Sequence, residues 1–270
     1  MPRSTLPAGF IAPMLPTLVD VAPDGGEWIH EIKYDGYRTQ LALARKVAQA
    51  FRRNGHDCTE KYGLVVAAAQ ALRCRSAIID GEICVQSAAE VTDFKALRSA
   101  IRSTPERLVL FAFDLLMLED RDFRAEPLVD LRHRLRDLIG ADATTRIAFS
   151  GEHVGEGPMF YQAADQHGLE GIMSKRADSL YVSGRARSWL KVNSLTWANA
   201  SRTTPGAGLG LALVTAIAEL HDAELKLSGS SSRLSRRDPL RRMSTSHGLT
   251  GRQTARQGRP QTNLICSRQT

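Results

Sequence analysis

Long apolar runs are absent from the 270 residues. Pro13, Pro16 and Pro23 break up the stretch around Phe10 to Val19. The amino-terminal segment therefore reads as an extended arm, neither a signal peptide nor a membrane span. Cysteine is scarce. The four present, Cys58, Cys74, Cys84 and Cys266, show no C-x-x-C pairing and no zinc spacing, the pattern of reduced thiols in a cytosolic protein. An excess of one charge is also missing over most of the chain, since residues 1–200 carry 25 Lys+Arg and 25 Asp+Glu. The formal +7 comes entirely from residues 201–270, with 11 basic and 4 acidic side chains, so net charge is weak support for a nucleic-acid partner. The apolar share of 43% is enough for a proper core and excludes wholesale disorder.

What is present starts with Glu31-Ile32-Lys33-Tyr34-Asp35-Gly36-Tyr37-Arg38. Trp28 and Ile29 before it, and the alternation Tyr37, Thr39, Leu41, Leu43 after it, predict two strands joined at Asp35-Gly36 as a hairpin. Lys33 then stands at a strand end with its amine over a pocket. Taken alone, a surface hairpin with an ion pair fits as well. Ala48 to Phe51 predicts a strand closed by the turn Asn54-Gly55, and Leu64 to Leu72 an Ala-rich helix.

Ala77 to Val85 is a β-branched strand interrupted by Asp80-Gly81-Glu82. Two acids in so apolar a run are costly unless a cation or metal meets them. The choice lies between a β-bulge with Glu82 turned to solvent and a Glu82 that points into a polar site. Leu108 to Leu116 predicts a Phe- and Leu-rich strand ending in an acid, Asp114. Residues 126–140 predict an amphipathic helix with apolar positions 128, 131, 135 and 138, opened by Pro127, closed by Gly140, with His133 on its solvated face.

Lys33-x-Asp35-Gly36-x-Arg38 resembles the nucleotidyl-acceptor motif of covalent nucleotidyltransferases. Its wording is most similar to the ligase module of ATP-dependent bacterial end-joining DNA ligases of the LigD type. Further motifs follow in that family's order: Arg53-Asn54-Gly55, Asp80-Gly81-Glu82, Phe113-Asp114, Glu170-Gly171-Ile172-Met173-Ser174-Lys175 and Trp189-Leu190-Lys191. The resemblance runs from residue 7 to about residue 192.

It implies an α+β fold, a ligase adenylation domain with antiparallel sheets flanked by helices, over residues 1–193. It also implies that Lys33 takes AMP from ATP as a phosphoramidate and passes it to the 5′-phosphate of nicked or broken double-stranded DNA. Glu31 would read the adenine edge and Phe113 would stack on the base. Arg38 and Arg53 would contact ribose and phosphate, and Lys175 and Lys191 the phosphates. Glu82 would hold ribose or, with Glu170, a Mg²⁺ or Mn²⁺ ion. The setting implied is DNA repair and recombination by end joining, in a bacterial cytoplasm beside the nucleoid. An end-binding Ku-type protein would be a further partner, and no membrane is involved.

The chain departs from the family in two places. Asn193 stands where the last motif has a second lysine. After Val192 the family continues into an OB-fold barrel, and no such pattern follows here. Residues 194–229 instead resemble a glycine turn and helix from a histidine-kinase ATPase domain. Thr204 to Leu211 has no Gly-Lys-Ser/Thr and no strand before it, so it is neither a Walker A loop nor a dinucleotide fingerprint. Residues 230–270 form a basic, apolar-poor tail expected to be disordered. The alternative to a working ligase core is a catalytically impaired nucleotide- or DNA-end-binding remnant.

Overall fold

The structure is a computed structural model, and it describes residues 10–87, 91–140 and 146–196. The kinase-like segment from residue 197 on, and the basic tail, lie outside the described residues. Eleven strands and four helices are defined there. The strands are β1 (Met14–Leu18), β2 (Trp28–Ile32), β3 (Tyr37–Ala44), β4 (Val47–Arg52), β5 (Ser76–Cys84), β6 (Val109–Leu118), β7 (Arg121–Asp122), β8 (Ile147–Phe149), β9 (His153–Val154), β10 (Gly171–Arg176) and β11 (Gly184–Asn193). The helices are α1 (Gly63–Ala71), α2 (Phe94–Ser103), α3 (Leu128–Ile139) and α4 (Gly157–Gln166).

The strands make two sheets. One has the order β1-β11-β10-β2-β9 and the other β4-β3-β5-β6-β7, with β8 also on β6. The expected α+β architecture is therefore present, and most pairs are antiparallel. Two are not: β1 runs parallel to β11, and β8 parallel to β6. Met14, Trp189 and Tyr181 meet Ala42, Phe51, Ile78 and Leu116 between the sheets. Helices α1, α2 and α3 cover the far face of the second sheet over Leu41, Ile79 and Leu110. Helix α4 covers the far face of the first through Phe160 and Ala164 against Ile172 and Val192. The second sheet is thus covered on both faces, which is why its central strands β5 and β6 read as largely apolar runs.

Two local expectations are corrected. Strands β2 and β3 do not form a hairpin: β2 pairs with β9 and β10, and β3 with β4 and β5. Lys33-Tyr34-Asp35-Gly36 is a crossover from one sheet to the other. Strand β6 does not end at Asp114 but runs on to Leu118. Asp114 is fully buried in mid-strand, where Lys175 approaches it.

The glycine of Lys33-x-Asp35-Gly36 has a packing reason. A Cβ on Gly36 would collide with the Ile83 carbonyl oxygen and the Cys84 sulfur, so the crossover can lie on β5 only with a bare backbone. Gly171, at the start of β10, is tighter still. Its φ is +142°, and a Cβ there would strike the Val192 carbonyl oxygen on β11. Gly171→Ala is expected to cost at least about 3 kcal/mol of stability, measurable as a lowered urea midpoint.

His30 on β2 lies opposite His153 on β9, under the ring of Phe160. Its Nδ1 meets the Ser174 hydroxyl at 2.8 Å, and its buried Nε2 has no hydrogen-bond partner. Burial, with His153 alongside, lowers the imidazole from 6.5 to about 4 against the pull of Asp24. The unfolded chain therefore takes up this proton first as pH falls. Stability present above pH 6.5 should be lost from there toward pH 4. Glu82 and Asp114, whose carboxyls burial raises, push the other way in the same window. The His30 share is therefore read as the difference in urea midpoint between wild type and His30→Gln, which is expected to fall between pH 6.5 and 5.

No helix among the described residues is long and apolar enough to cross a membrane. Cys58, Cys74 and Cys84 are buried free thiols, and Cys266 lies outside the described residues.

Candidate active site

The two sheets part at one end around a cavity of about 320 Å³. The first sheet supplies its wall by cross-strand rows. Lys191, Met173 and Glu31 stand opposite one another on β11, β10 and β2, and Trp189 and Lys175 form the next row on the same face. The second sheet supplies Arg38 and Glu82, which are cross-strand partners on β3 and β5. Phe113 reaches the cavity by a different device. The β5/β6 register slips between Asp80 and Gly81, so Asp80 pairs with Asp114 and Gly81 with Ala112. Phe113 is left as the extra residue of a bulge, which re-aims its ring. The bulge sits on the strand opposite Glu82, and Glu82 lines the cavity. Arg53, from the turn after β4, closes the rim.

Lys33 sits just past the end of β2 and lines the cavity. Its backbone N–H donates to the Gly171 carbonyl, and its ammonium pairs with the Glu170 carboxylate. The lysine segment and the Glu170-Gly171 segment are thereby tied together. Burial lowers the Lys33 ammonium from 10.5 to about 8. Asp35 and Glu82 oppose that shift and Lys191 adds to it. Glu82 moves the other way. Burial pushes its carboxyl up to about 8, with Arg38 opposing and Asp80 adding. A carboxyl whose ionisation burial disfavours in this way is one for which an added cation would be favourable.

Lys175 is 1% exposed and pairs with Glu31 at 2.8 Å and Asp114 at 3.4 Å. Its ammonium lies 4.6 Å from the Phe113 ring centre and 4.2 Å from that of Trp189. Burial pushes Asp114 up to about 6 against the pull of Lys175. Arg38 grips Asp80 through both Nε and Nη2, at 3.2 and 2.8 Å, and gives Nη1 to the Met14 carbonyl. Three of its five N–H donors are thus committed to the protein.

Every residue proposed from the sequence except Glu170 lines the cavity, and Glu170 reaches it through Lys33. No group of three or more His, Cys, Asp or Glu side chains that could hold a metal occurs among the described residues. Asn193 is exposed on β11, two residues beyond Lys191.

Several participants were not singled out from the sequence. Arg185, Met173 and Tyr34 line the cavity beside Trp189, and Asp114 anchors Lys175, whereas Asp80, expected from its apolar run to meet a cation, meets Arg38. Arg132 is wholly buried between Glu31 and Glu152. Its signal was available, because position 132 lies on the same helical face as 128, 131 and 135. An arginine there has to find carboxylates.

Two facing sheets that open onto a strand-end lysine, set among carboxylates and cations, define the covalent nucleotidyltransferase class of fold. The chain belongs to the ATP dependent DNA ligase domain family, whose sequence profile matches residues 13–193. The chain is 33% identical over 184 residues to the multifunctional non-homologous end joining protein LigD of Pseudomonas aeruginosa, covering 68% of this chain and 22% of that protein. It is 33% identical over 183 residues to the Mycobacterium tuberculosis LigD repair protein, covering 67% of this chain and 24% of that one. A solved structure of mycobacterial DNA ligase D complexed with ATP and MES superposes with a TM-score of 0.60 at 31% identity, covering 67% of this chain and 60% of that chain. The chain thus spans about a quarter of the length of these curated relatives.

Proposed function

We propose that this chain is an ATP-dependent DNA ligase catalytic domain that joins nicked or broken double-stranded DNA through a lysine–AMP intermediate. The observation that carries this is Lys33. Its amine is brought to about 8 by burial, it lies beside Glu170, and it opens onto a cavity walled by Arg38, Arg53, Lys175, Arg185 and Lys191.

In the first step the free amine of Lys33 attacks the α-phosphorus of ATP. An N–P bond forms, the bond to pyrophosphate breaks, and the nitrogen loses its proton. In the second, a 5′-phosphate oxygen displaces the lysine nitrogen. In the third, a 3′-hydroxyl attacks that 5′-phosphate and AMP leaves. All three are in-line attacks on phosphorus, so neutralising oxygen charge and fixing geometry supply most of the rate. Lys175 and Lys191 serve the α-phosphate, and Arg38 and Arg53 serve ribose and the 5′-phosphate. Phe113 offers its ring to the base, and Glu31 accepts from the base edge. Glu82 and Glu170 would hold a Mg²⁺ or Mn²⁺ ion together with phosphate oxygens, and that ion would supply further charge neutralisation.

The biological setting we assign is end joining in the cytoplasm, at the nucleoid, with a Ku-type end-binding protein as partner. The test is incubation of the whole chain with α-labelled ATP and Mg²⁺. Acid-stable, hydroxylamine-labile label supports the proposal. ATP binding by a folded chain that never acquires label would sink it in favour of a silent binding remnant.

A further inference from the structure

Arg132 does not line the cavity, yet its side chain is 1% exposed in the middle of an otherwise apolar helix face. A buried guanidinium is tolerated only where its donors are nearly all matched. Here they are. Nε pairs with Glu152, and Nη1 donates to Glu31 Oε1 at 2.7 Å and to the Phe113 carbonyl at 2.9 Å. Nη2 donates to the Ser150 carbonyl at 2.6 Å, and the guanidinium lies 4.6 Å from the centre of the Phe149 ring. Four of the five N–H donors are used, so Arg132 has almost nothing left to offer a ligand.

The identity of those partners is informative. Glu31 belongs to β2 in the first sheet and Phe113 to β6 in the second. A single nitrogen, Nη1, therefore bridges the two cavity walls. It does so at the two residues to which the ligase reading gives the base. Phe113 is the bulged residue of β6, with no ladder partner on β5 to hold its backbone, so the bond to Arg132 substitutes for one. Glu31 is equally constrained. Its Oε1 takes both Arg132 and Lys175, whereas the nearest partner of Oε2 is the Ser150 hydroxyl at 3.5 Å. Oε2 is left with spare acceptor capacity, and a carboxylate is an acceptor only. It suits a base edge bearing an exocyclic amine and opposes one bearing a keto oxygen.

We propose that Arg132 is a positioning residue for nucleotide selection, fixing the Glu31 carboxylate and the Phe113 backbone at the spacing that admits an amine-bearing purine and rejects a keto-bearing one. The inference rests on the ligase reading above. Without Arg132, Lys175 becomes the sole counter-ion of Glu31, and the Phe113 bulge loses its anchor. Both changes loosen the base site and leave Lys33 untouched.

The experiment measures covalent labelling of the whole chain by α-labelled ATP and by α-labelled inosine triphosphate, whose base carries a keto oxygen in place of the amine. Arg132→Lys keeps the charge and loses the fork, and Arg132→Met loses both. The quantity read is the ratio of ATP to inosine triphosphate labelling rates at low nucleotide. Each nucleotide samples the same folded fraction, so general destabilisation cancels from that ratio. A fall of about tenfold in both variants is expected, with ATP KM raised and the rate at saturating ATP little changed. A ratio within about twofold of wild type in folded variants overturns the inference.

If neither Arg132 variant folds, Glu152→Gln decides. Glu152 touches Arg132 through Nε and does not line the cavity. A drop of about threefold in the ratio supports the inference, and an unchanged ratio overturns it. The outcomes separate from the ligase reading. A wild type that never takes label overturns both, whereas a wild type that labels beside variants of unaltered ratio overturns the role of Arg132 alone.

Discussion

Lys33→Ala is expected to abolish AMP transfer, with label from α-labelled ATP falling on the order of 10³-fold or more. The reason is chemical. Lys33 is the cavity amine whose proton burial loosens toward neutral pH. Arg38, Arg53 and Arg185 are guanidinium groups with no free amine to offer, and Lys175 is locked between Glu31 and Asp114. Lys33→Arg separates charge from nucleophilicity. It keeps a cation beside Glu170 and should still bind nucleotide, but it cannot form the N–P bond. Label on Lys33→Arg at more than a few per cent of wild type would move the acceptor elsewhere.

The same lysine carries a pH signature that needs no nucleotide. Its folded-state value of about 8 lies below the ordinary 10.5, so the free amine appears as pH rises through about 8. In metal-free buffer, reaction of Lys33 with an amine-selective reagent, followed by peptide mass analysis, should climb through that range and level off. Other surface lysines should keep climbing toward pH 10. A Lys33 profile matching theirs would mean that burial does not tune it.

The motifs themselves were legible because each is local. Lys33-x-Asp35-Gly36 marks a sharp change of direction, and Glu170-Gly171 marks the start of a strand that only a glycine can begin. The amphipathic helix announced itself at 128, 131 and 135, and the acids of Asp80-Gly81-Glu82 announced that cations would meet them.

What was not legible is which strands face each other. Alternation gives β2 and β3 a common reading as neighbours in a hairpin, and only the packing of two separate sheets reveals the crossover. The extent of β6 was hidden for a related reason. Asp114 looks like a terminator in sequence, and it persists in mid-strand because Lys175 arrives from 61 residues away. The parallel β1–β11 pair joins segments about 170 residues apart, beyond the reach of any local pattern. Helices α2 and α4 went unread although Asp93 caps the first through the Ala96 N–H and Pro158 opens the second.

Asp80→Asn is expected to be the most destabilising polar change in the described residues, at about 3–5 kcal/mol. Asp80 is 1% exposed on β5 and holds both Nε and Nη2 of Arg38, while its Oδ2 also accepts from the Tyr181 hydroxyl at 2.9 Å. Arg38 in turn donates to the Met14 carbonyl of β1, and the Tyr181 hydroxyl receives the Met14 N–H. Strand β1 and the segment leading into β11 are thus fastened to the middle of the other sheet through a single carboxylate. An amide in its place leaves one Arg38 donor facing an NH₂ group and a buried guanidinium without its counter-charge. For a domain of this size the loss corresponds to a fall in Tm of roughly 6–20 °C. The asymmetry of buried ion pairs supplies a sharper check, because removing one partner costs more than replacing both by apolar groups of similar shape. The pair Arg38→Met with Asp80→Leu should therefore be more stable than Asp80→Asn alone, read as the urea midpoint. If the double replacement is the weaker of the two, the bond holds the sheets by more than charge pairing, and Arg38 stacking at 5.5 Å on Phe113 and 5.8 Å on Trp189 becomes the larger part of the contact.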